Sequence, residues 1–238
     1  MEEAARSART GFFSASEMEA EDILQLLRKK ASPGNVRGMA RFGMSAQGRL
    51  GVSVPEMRRI ARLAGKDHRL ALALWKTGIA EARIVASMVA EQDKVTARQM
   101  DAWVAGIDSW DVCDQVCGNL WDKTAFAWSK ARAWARRKEE YVRRAGFALI
   151  ACLARHDQLA ADGRFAAMLP LIRRGAFDGR NFVKKAVSWA LRAIGKRNPA
   201  LRRQAKRLAT SLRHSEDRTA RWVGADVLRD IARPHPRR

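Results

Sequence analysis

The sequence lacks the features of secreted and membrane-spanning proteins. It has only three cysteines in 238 residues, an odd number and too few for a disulfide framework. We interpret all three as small buried hydrophobic residues in a reducing compartment. The longest uninterrupted apolar run, residues 145–154, is about half as long as a membrane-spanning helix requires. We therefore expect a cytoplasmic protein with no membrane association.

Residues that build metal sites are also scarce. Cys113 and Cys117 stand four positions apart, without the second Cys or His pair that a zinc site needs. The four histidines are scattered near turns or the tail and suggest no common ligand set. No metal site is predicted.

Acidic residues are few relative to basic ones. The chain carries 46 Lys and Arg against 25 Asp and Glu, a formal net charge of +21, yet 47% of its residues are hydrophobic. A chain this apolar can fill a core, and so much positive charge in a folded protein favours a polyanionic partner such as nucleic acid. Residues 125–238 hold 28 bases and nine acids, whereas residues 1–27 are net acidic. The binding surface should lie mostly in the second half; the alternative is solvated helix faces without a partner.

Apolar residues recur at helical spacing almost throughout, as in Val142, Ala145, Leu149 and Cys152, and no run alternates with the period of a strand. Capping and breaking residues divide the pattern into helices of roughly ten to eighteen residues. The sequence therefore predicts an all-α protein. We expect a disordered lead-in over residues 1–16, a helical domain over 17–232 and a basic tail over 233–238.

Four segments resemble one another: EARIVASMVA, YVRRAGFALIACLA, NFVKKAVSWALRAIG and TARWVGADVLRDIA. Superposing them, with the helix after Ser109 added, aligns Arg83, Asp114, Arg144, Lys185 and Arg221. Paired helices with a loose period of about 40 residues are typical of a HEAT-type α-solenoid. We predict about six helix pairs in a single curved domain, with an ordinary helical bundle as the alternative. The aligned bases would form a phosphate-binding stripe in a concave groove.

One acid interrupts this basic column. Asp114 lies opposite the apolar stripe of its helix, and Trp110 precedes it by one turn and shares its face. An acid weakens phosphate binding, so Asp114 needs another role. The structural alternative is a salt bridge to Arg83 or Arg144.

A second aromatic residue lies on the stripe. Trp189 follows Lys185 by one helical turn, and Arg192 and Lys196 continue the same face. The alternative for Trp189 is a place in the hydrophobic core.

One carboxylate and two indoles among phosphate-binding bases suit a particular chemistry. A purine alkylated at N3 or N7 is already a cation and a good leaving group, so its release needs no general acid. Loss of the base leaves an oxocarbenium-like sugar, which a carboxylate such as Asp114 stabilises. Indole faces stack on a cationic base or its sugar. These residues are sufficient for this reaction but do not by themselves select it.

The motifs SWDVCD, YVRRAGFALIACLA and NFVKKAVSWALRAIGKRNP, with MARFG near the front, resemble the AlkD-type DNA alkylation-repair proteins of bacteria. These are HEAT-like repeat DNA glycosylases, and the resemblance extends from about Val36 to Ile231. It implies that Asp114 is the catalytic carboxylate, Trp110 and Trp189 contact the lesion nucleotide, and Arg144 binds the DNA backbone. Phe42, in MARFG, matches a position that is Tyr in some relatives and would be a third aromatic contact.

The same resemblance implies a function. Members of the family release cationic N3- and N7-alkylpurines from double-stranded DNA without flipping the nucleotide, and they need no metal or organic cofactor. Arg83, Lys185, Arg192, Lys196 and Arg221 would join Arg144 in binding the DNA backbone. We expect a monomer with no obligate protein partner. The alternative is a non-catalytic HEAT-repeat scaffold that binds DNA or RNA through the same groove.

Overall fold

A computed structural model describes residues 18–232, and every regular element in that range is helical. The all-α prediction is confirmed. The expected disordered lead-in and basic tail lie outside the described residues. No helix between residues 18 and 232 is long and apolar enough to cross a membrane.

The chain divides into two compact units. The N-terminal unit comprises the described residues up to Phe42 together with Ala46–Glu91, and the C-terminal unit comprises Gly43–Ser45 and the described residues from Gln92 onward. A single continuous domain remains a prediction.

Five helices make up the N-terminal unit: α1 (Ala20–Lys29), α2 (Pro33–Ala40), α3 (Val54–Ala64), α4 (His68–Lys76) and α5 (Ala80–Val89). Helix α5 packs against α1, α3 and α4. Its buried Glu81 accepts hydrogen bonds from the backbone N–H groups of Leu50, at 2.9 Å, and Gly51, at 2.7 Å. Buried backbone donors need such partners, so Glu81 fixes the loop that leads into α3.

Nine further α-helices lie in the described part of the C-terminal unit. They are α6 (Ala97–Ala105), α7 (Trp110–Asn119), α8 (Ala127–Trp134), α9 (Glu140–His156), α10 (Asp162–Ala166), α11 (Leu169–Gly175), α12 (Asn181–Gly195), α13 (Pro199–Arg213) and α14 (Arg218–Ala232). Short 3-10 turns cover Gln92–Lys94 and Trp121–Lys123.

These helices form two layers. Helices α7, α9, α12 and α14 contact one another in that order, and we call them the inner row. The second layer packs against this row: α8 packs on α9, α11 on α12, and α13 on both α12 and α14. This succession of helix pairs matches the HEAT-like pattern that the repeated segments predict.

Two glycines let neighbouring helices approach closely. A Cβ atom on Gly146 of α9 would lie 2.2 Å from the backbone nitrogen of Ala135, just after α8. One on Gly224 of α14 would lie 2.5 Å from the carbonyl oxygen of Ala209 in α13. Both distances are far inside van der Waals contact, so only glycine fits this packing.

All three cysteines are free thiols and buried, as predicted. Cys113 and Cys117 lie on the buried face of α7, and Cys152 lies on α9. The Sγ atom of Cys117 contacts the carbonyl oxygen of Ala145 at 3.7 Å. Burial raises the pKa of Cys117 and of Cys152 well above the ordinary thiol value.

Candidate active site

A cleft of about 470 Å³ opens on the inner row of the C-terminal unit. Its lining residues are Asp114 from α7, Arg144 from α9, Lys185, Trp189 and Arg192 from α12, and Trp222 and Asp226 from α14. Five of these seven were predicted as site residues from the sequence. The structure therefore brings together one acid, three bases and an aromatic residue that are spread over 79 positions of the chain.

Asp114 and Arg144 form a two-pronged ion pair. The Nε of Arg144 donates to Oδ1 of Asp114 at 3.0 Å, and its Nη2 donates to Oδ2 at 2.8 Å. The remaining nitrogen, Nη1, donates to the carbonyl oxygen of Phe182 at 2.6 Å. One guanidinium thus links α7, α9 and α12, and its planar fork fixes the orientation of the carboxylate. The sequence analysis names a salt bridge from Asp114 to Arg83 or to Arg144 as the structural alternative, and the structure contains the one to Arg144.

The pair is only partly accessible. The Arg144 side chain is 7% exposed, whereas that of Asp114 is 21% exposed and lines the cleft. Each carboxylate oxygen accepts one hydrogen bond from Arg144 and keeps a second acceptor site. Asp114 is therefore positioned by Arg144 and still able to face a ligand.

Burial raises the pKa of the Asp114 carboxyl above its ordinary value of 3.8, and the charge and hydrogen bonds of Arg144 oppose that rise. Nearby Asp111 adds a smaller upward contribution to this pKa. For the Arg144 guanidinium, burial lowers the pKa, and Asp114 outweighs that effect and raises it. Because arginine keeps its proton at neutral pH, we expect the pair to carry both charges there.

The two tryptophans predicted for the site differ in their placement. Trp189 lines the cleft and is half-buried, so it does not belong to the core. Trp110, the first residue of α7, is not among the lining residues of the cleft. The Cζ atom of Arg144 lies 5.9 Å from the centre of the Trp110 ring, within the range of a cation–π contact. Trp110 thus adjoins the ion pair.

A second carboxylate lies across the cleft. Oδ2 of Asp226 accepts from the hydroxyl of buried Ser188 at 2.6 Å and lies 3.2 Å from Nη1 of Arg192. Its Oδ1 accepts from Arg229 at 3.2 Å. Arg192 is consequently held by an acid. Lys185 is exposed and makes no ion pair with a carboxylate in the described part of the chain.

The last member of the predicted column, Arg221, lies outside the cleft lining, and its contact with the DNA backbone stays a prediction. Arg221 is exposed and donates to the carbonyl oxygens of Ser215, at 3.0 Å, and Glu216, at 2.7 Å, and it does not line the cleft. The neighbouring Trp222 does. The column that the structure forms in this unit is Asp114, Arg144, Lys185 and Trp222. Sequence reasoning missed both Trp222 and Asp226.

A signal for Trp222 was present in the core pattern. Buried Val183 and Ala186 of α12 correspond to buried Ala220 and Val223 of α14, at the same spacing. Matching these buried positions pairs Lys185 with Trp222. The superposition on basic residues had selected Arg221 instead.

Three other predicted residues lie apart from the cleft lining. The Nζ of Lys196 binds Asp230 at 2.9 Å at the end of α12. Arg83 belongs to the N-terminal unit, where its Nε donates to the carbonyl oxygen of Trp75 at 3.4 Å. Phe42 also belongs to that unit and is 69% exposed.

Comparison with known proteins bears on the family and the fold of the chain. A family model described as DNA alkylation repair enzyme matches residues 23–221. A solved structure described as one of a new family of proteins related to the HEAT-like repeat DNA glycosylases, with affinity for branched DNA structures, is 18% identical. The match covers 89% of this chain and 95% of that one, with a TM-score of 0.74. At this identity the likeness concerns the fold, which is therefore HEAT-like.

A designed armadillo repeat protein is 14% identical over 90% of this chain and all of that one. Its TM-score of 0.37 is too low to bear on the fold. No curated protein matches the sequence.

Proposed function

The chain belongs to the DNA alkylation repair enzyme family, and on this premise we propose that it is a DNA glycosylase acting on alkylated purines. Its substrates would be the cationic N3- and N7-alkylpurines of duplex DNA, whose N-glycosidic bond it hydrolyses. It would act as a cytoplasmic monomer on double-stranded DNA. A role in DNA repair follows from the family; the reaction and the substrate are the proposal.

The observation that carries the proposal is the carboxylate of Asp114, held in place within a basic cleft. An acid in a phosphate-binding cleft repels the ligand, so each acid there calls for another role, which for Asp226 is its ion pair with Arg192. For Asp114 that role would be to stabilise the positive charge that develops when bond cleavage leaves an oxocarbenium-like sugar. The fixed Asp114–Arg144 geometry means that little reorganisation is needed when that charge appears.

The rest of the cleft supports this assignment. Lys185, exposed and without a carboxylate partner, is suited to a DNA phosphate. The half-buried indole of Trp189 offers a face to the sugar or the cationic base. The leaving purine carries its own positive charge, so none of these residues has to protonate it. Asp114 would also accept a hydrogen bond from the attacking water.

The test is release of 7-methylguanine from methylated duplex DNA under single-turnover conditions. Asp114→Asn should reduce the rate by orders of magnitude while DNA binding stays unchanged or becomes tighter, because the change removes a negative charge from the cleft. Asp111→Asn is the matched control, since it makes the same change near the start of α7 and away from the cleft lining. Equal rates for the two variants would show that Asp114 is not the catalytic carboxylate.

The second candidate is a non-catalytic scaffold that binds DNA or RNA through the same cleft. The ion pair between Asp114 and Arg144 fits this candidate as well, because a purely structural pair would have the same geometry. The solved relative with affinity for branched DNA structures is also described as related to the glycosylases. Tight DNA binding by the wild-type chain without release of any methylated purine would support the scaffold.

A further inference from the structure

Helix α13 is strongly basic and lies outside the cleft. Over Pro199–Arg213 it contains no acid, and its five bases are Arg202, Arg203, Lys206, Arg207 and Arg213. Arg202 differs from the others, because it donates a hydrogen bond to the carbonyl oxygen of Ile231 and is half-buried. The other four bases are exposed.

Three of these bases share one face of α13. Arg203, Lys206 and Arg207 follow the i, i+3, i+4 spacing that puts residues on the same side of a helix. With Thr210 they line a shallow cavity of about 440 Å³. We call these three bases the α13 face.

The α13 face points away from the rest of the unit. The buried residues of α13 are Leu201, Ala205, Ala209 and Leu212, and they pack toward α12 and α14. At 100° per residue, the mean direction of the α13 face is roughly 160° from the mean direction of this buried side. The cleft lies on the inner row, of which α12 and α14 are members. The α13 face is therefore turned away from the inner row that carries the cleft.

The charges of the α13 face are not neutralised. None of its three bases forms an ion pair with a carboxylate in the described part of the chain. In the cleft, by contrast, Arg144 and Arg192 are both paired with acids. Three exposed cations on one turn raise the local potential and attract a polyanion.

We propose that the α13 face is a second nucleic-acid site, which binds the phosphate backbone of a second duplex DNA segment while the cleft holds the first. The proposal rests on the proposed function in one respect, namely that the cleft binds DNA. Because the α13 face is turned away from the inner row, its ligand would be a segment other than the duplex held in the cleft. One chain would then bridge two duplexes.

The chemistry of α13 favours DNA over other anionic surfaces. A helix that binds a membrane exposes Trp, Phe or Leu beside its bases, whereas in α13 Leu201 and Leu212 are buried and Leu208 is half-buried. Protein interfaces depend on aromatic anchors, and α13 has no aromatic residue. A row of Arg, Lys and Thr is what a phosphate backbone requires.

The test uses the full chain and two short duplexes, measured as intact complexes by native mass spectrometry. The wild-type chain should form a complex of one protein with two duplexes. The variant Arg203→Gln/Lys206→Gln/Arg207→Gln should form only the one-to-one complex while releasing 7-methylguanine at the wild-type rate. In the wild-type chain, three phosphate contacts should give binding of the second duplex a log–log salt slope of about −2.7, at roughly 0.9 per phosphate.

A matched control removes the same charge elsewhere. Arg58, Arg62 and Arg69 are exposed arginines of the N-terminal unit, and replacing all three with Gln should leave the two-duplex complex intact. The conservative variant Arg203→Lys/Arg207→Lys should also retain it, because the positive charges remain.

Several outcomes would overturn the proposal. It is contradicted if the wild-type chain binds no more than one duplex per chain, if the triple Gln variant still binds two duplexes, or if the triple Gln variant loses binding of the first duplex as well. Stronger binding of the α13 face to anionic lipid vesicles than to DNA would also contradict it. A wild-type chain that binds two duplexes but releases no methylated base would leave this proposal standing and refute the glycosylase function.

Discussion

The Asp114–Arg144 pair makes a quantitative prediction about stability. Arg144→Met removes the guanidinium from a side chain that is only 7% exposed and leaves the Asp114 carboxylate without a partner. Asp114→Asn instead leaves a buried guanidinium without its counter-charge. Removing one member of a buried ion pair costs about 3–5 kcal/mol. The 21% exposure of Asp114 places both single variants toward the lower end of that range.

The double variant should cost much less than the sum of the two single ones, because it leaves no unpaired charge behind. We expect the single variants to lower the free energy of unfolding by about 3 kcal/mol each and the double variant to show a coupling of at least 1.5 kcal/mol. A loss of about 3 kcal/mol corresponds to roughly 6–12 °C in Tm for a chain of this size.

Urea unfolding of the four proteins of this cycle measures the coupling. Asp111→Asn again serves as the control and should cost about 0.3–1 kcal/mol, the usual contribution of a carboxylate in the first turn of a helix. Additive losses, within about 0.5 kcal/mol, would show that Asp114 and Arg144 do not stabilise each other. The account of Arg144 as the group that positions the carboxylate would then be wrong.

Four further predictions concern activity and binding. Lys185→Ala should reduce the log–log salt slope of DNA binding by about 0.9 on damaged and undamaged duplexes alike; an unchanged slope would remove Lys185 from the phosphate contacts. Uracil, a neutral leaving group, should not be released in an assay that detects 7-methylguanine release, because the proposed reaction uses no general acid; efficient uracil release would reveal an overlooked proton donor. Trp189→Ala should lower the excision rate more than the DNA affinity, and equal losses in both would contradict a contact with the lesion nucleotide. The excision rate should fall in acid as Asp114 gains a proton, and the midpoint of this decrease should lie above 3.8 because burial raises the pKa of Asp114. The Lys185→Ala variant should show the same decrease in acid if the titrating group is Asp114.

Much of the fold and part of the site could be predicted from the sequence. Helical periodicity is a local signal, and it gave the all-α class correctly. The repeated segments also placed Asp114, Arg144 and Lys185 in one column, because equivalent positions of stacked repeats face the same surface. Trp189 was assigned to that surface from the charged neighbours on its helical face.

The register of the last repeat and the pairing of charges could not be obtained from the same signals. Superposing basic residues selected Arg221, whereas packing against α12 and α13 fixes the register of α14 and turns Trp222 toward the cleft. Gly224, where the backbone of Ala209 and of Arg213 leaves no room for a side chain, is part of that constraint. Likewise, the partner of Arg192 is Asp226, 34 positions away. Contacts across helices depend on tertiary packing, which no local pattern encodes.

The burial of the three cysteines has a consequence for the protein's own chemical survival. Agents that methylate DNA are electrophiles, and the thiolate is the most nucleophilic group that a protein side chain offers them. Cys113 and Cys117 lie directly behind the turn that carries Asp114, where an added methyl group would disturb the candidate active site. Because Cys117 and Cys152 are inaccessible and kept protonated by their raised pKa values, they should react slowly in the folded chain. We expect the packing that buries these thiols also to slow their methylation by the agents that alkylate DNA.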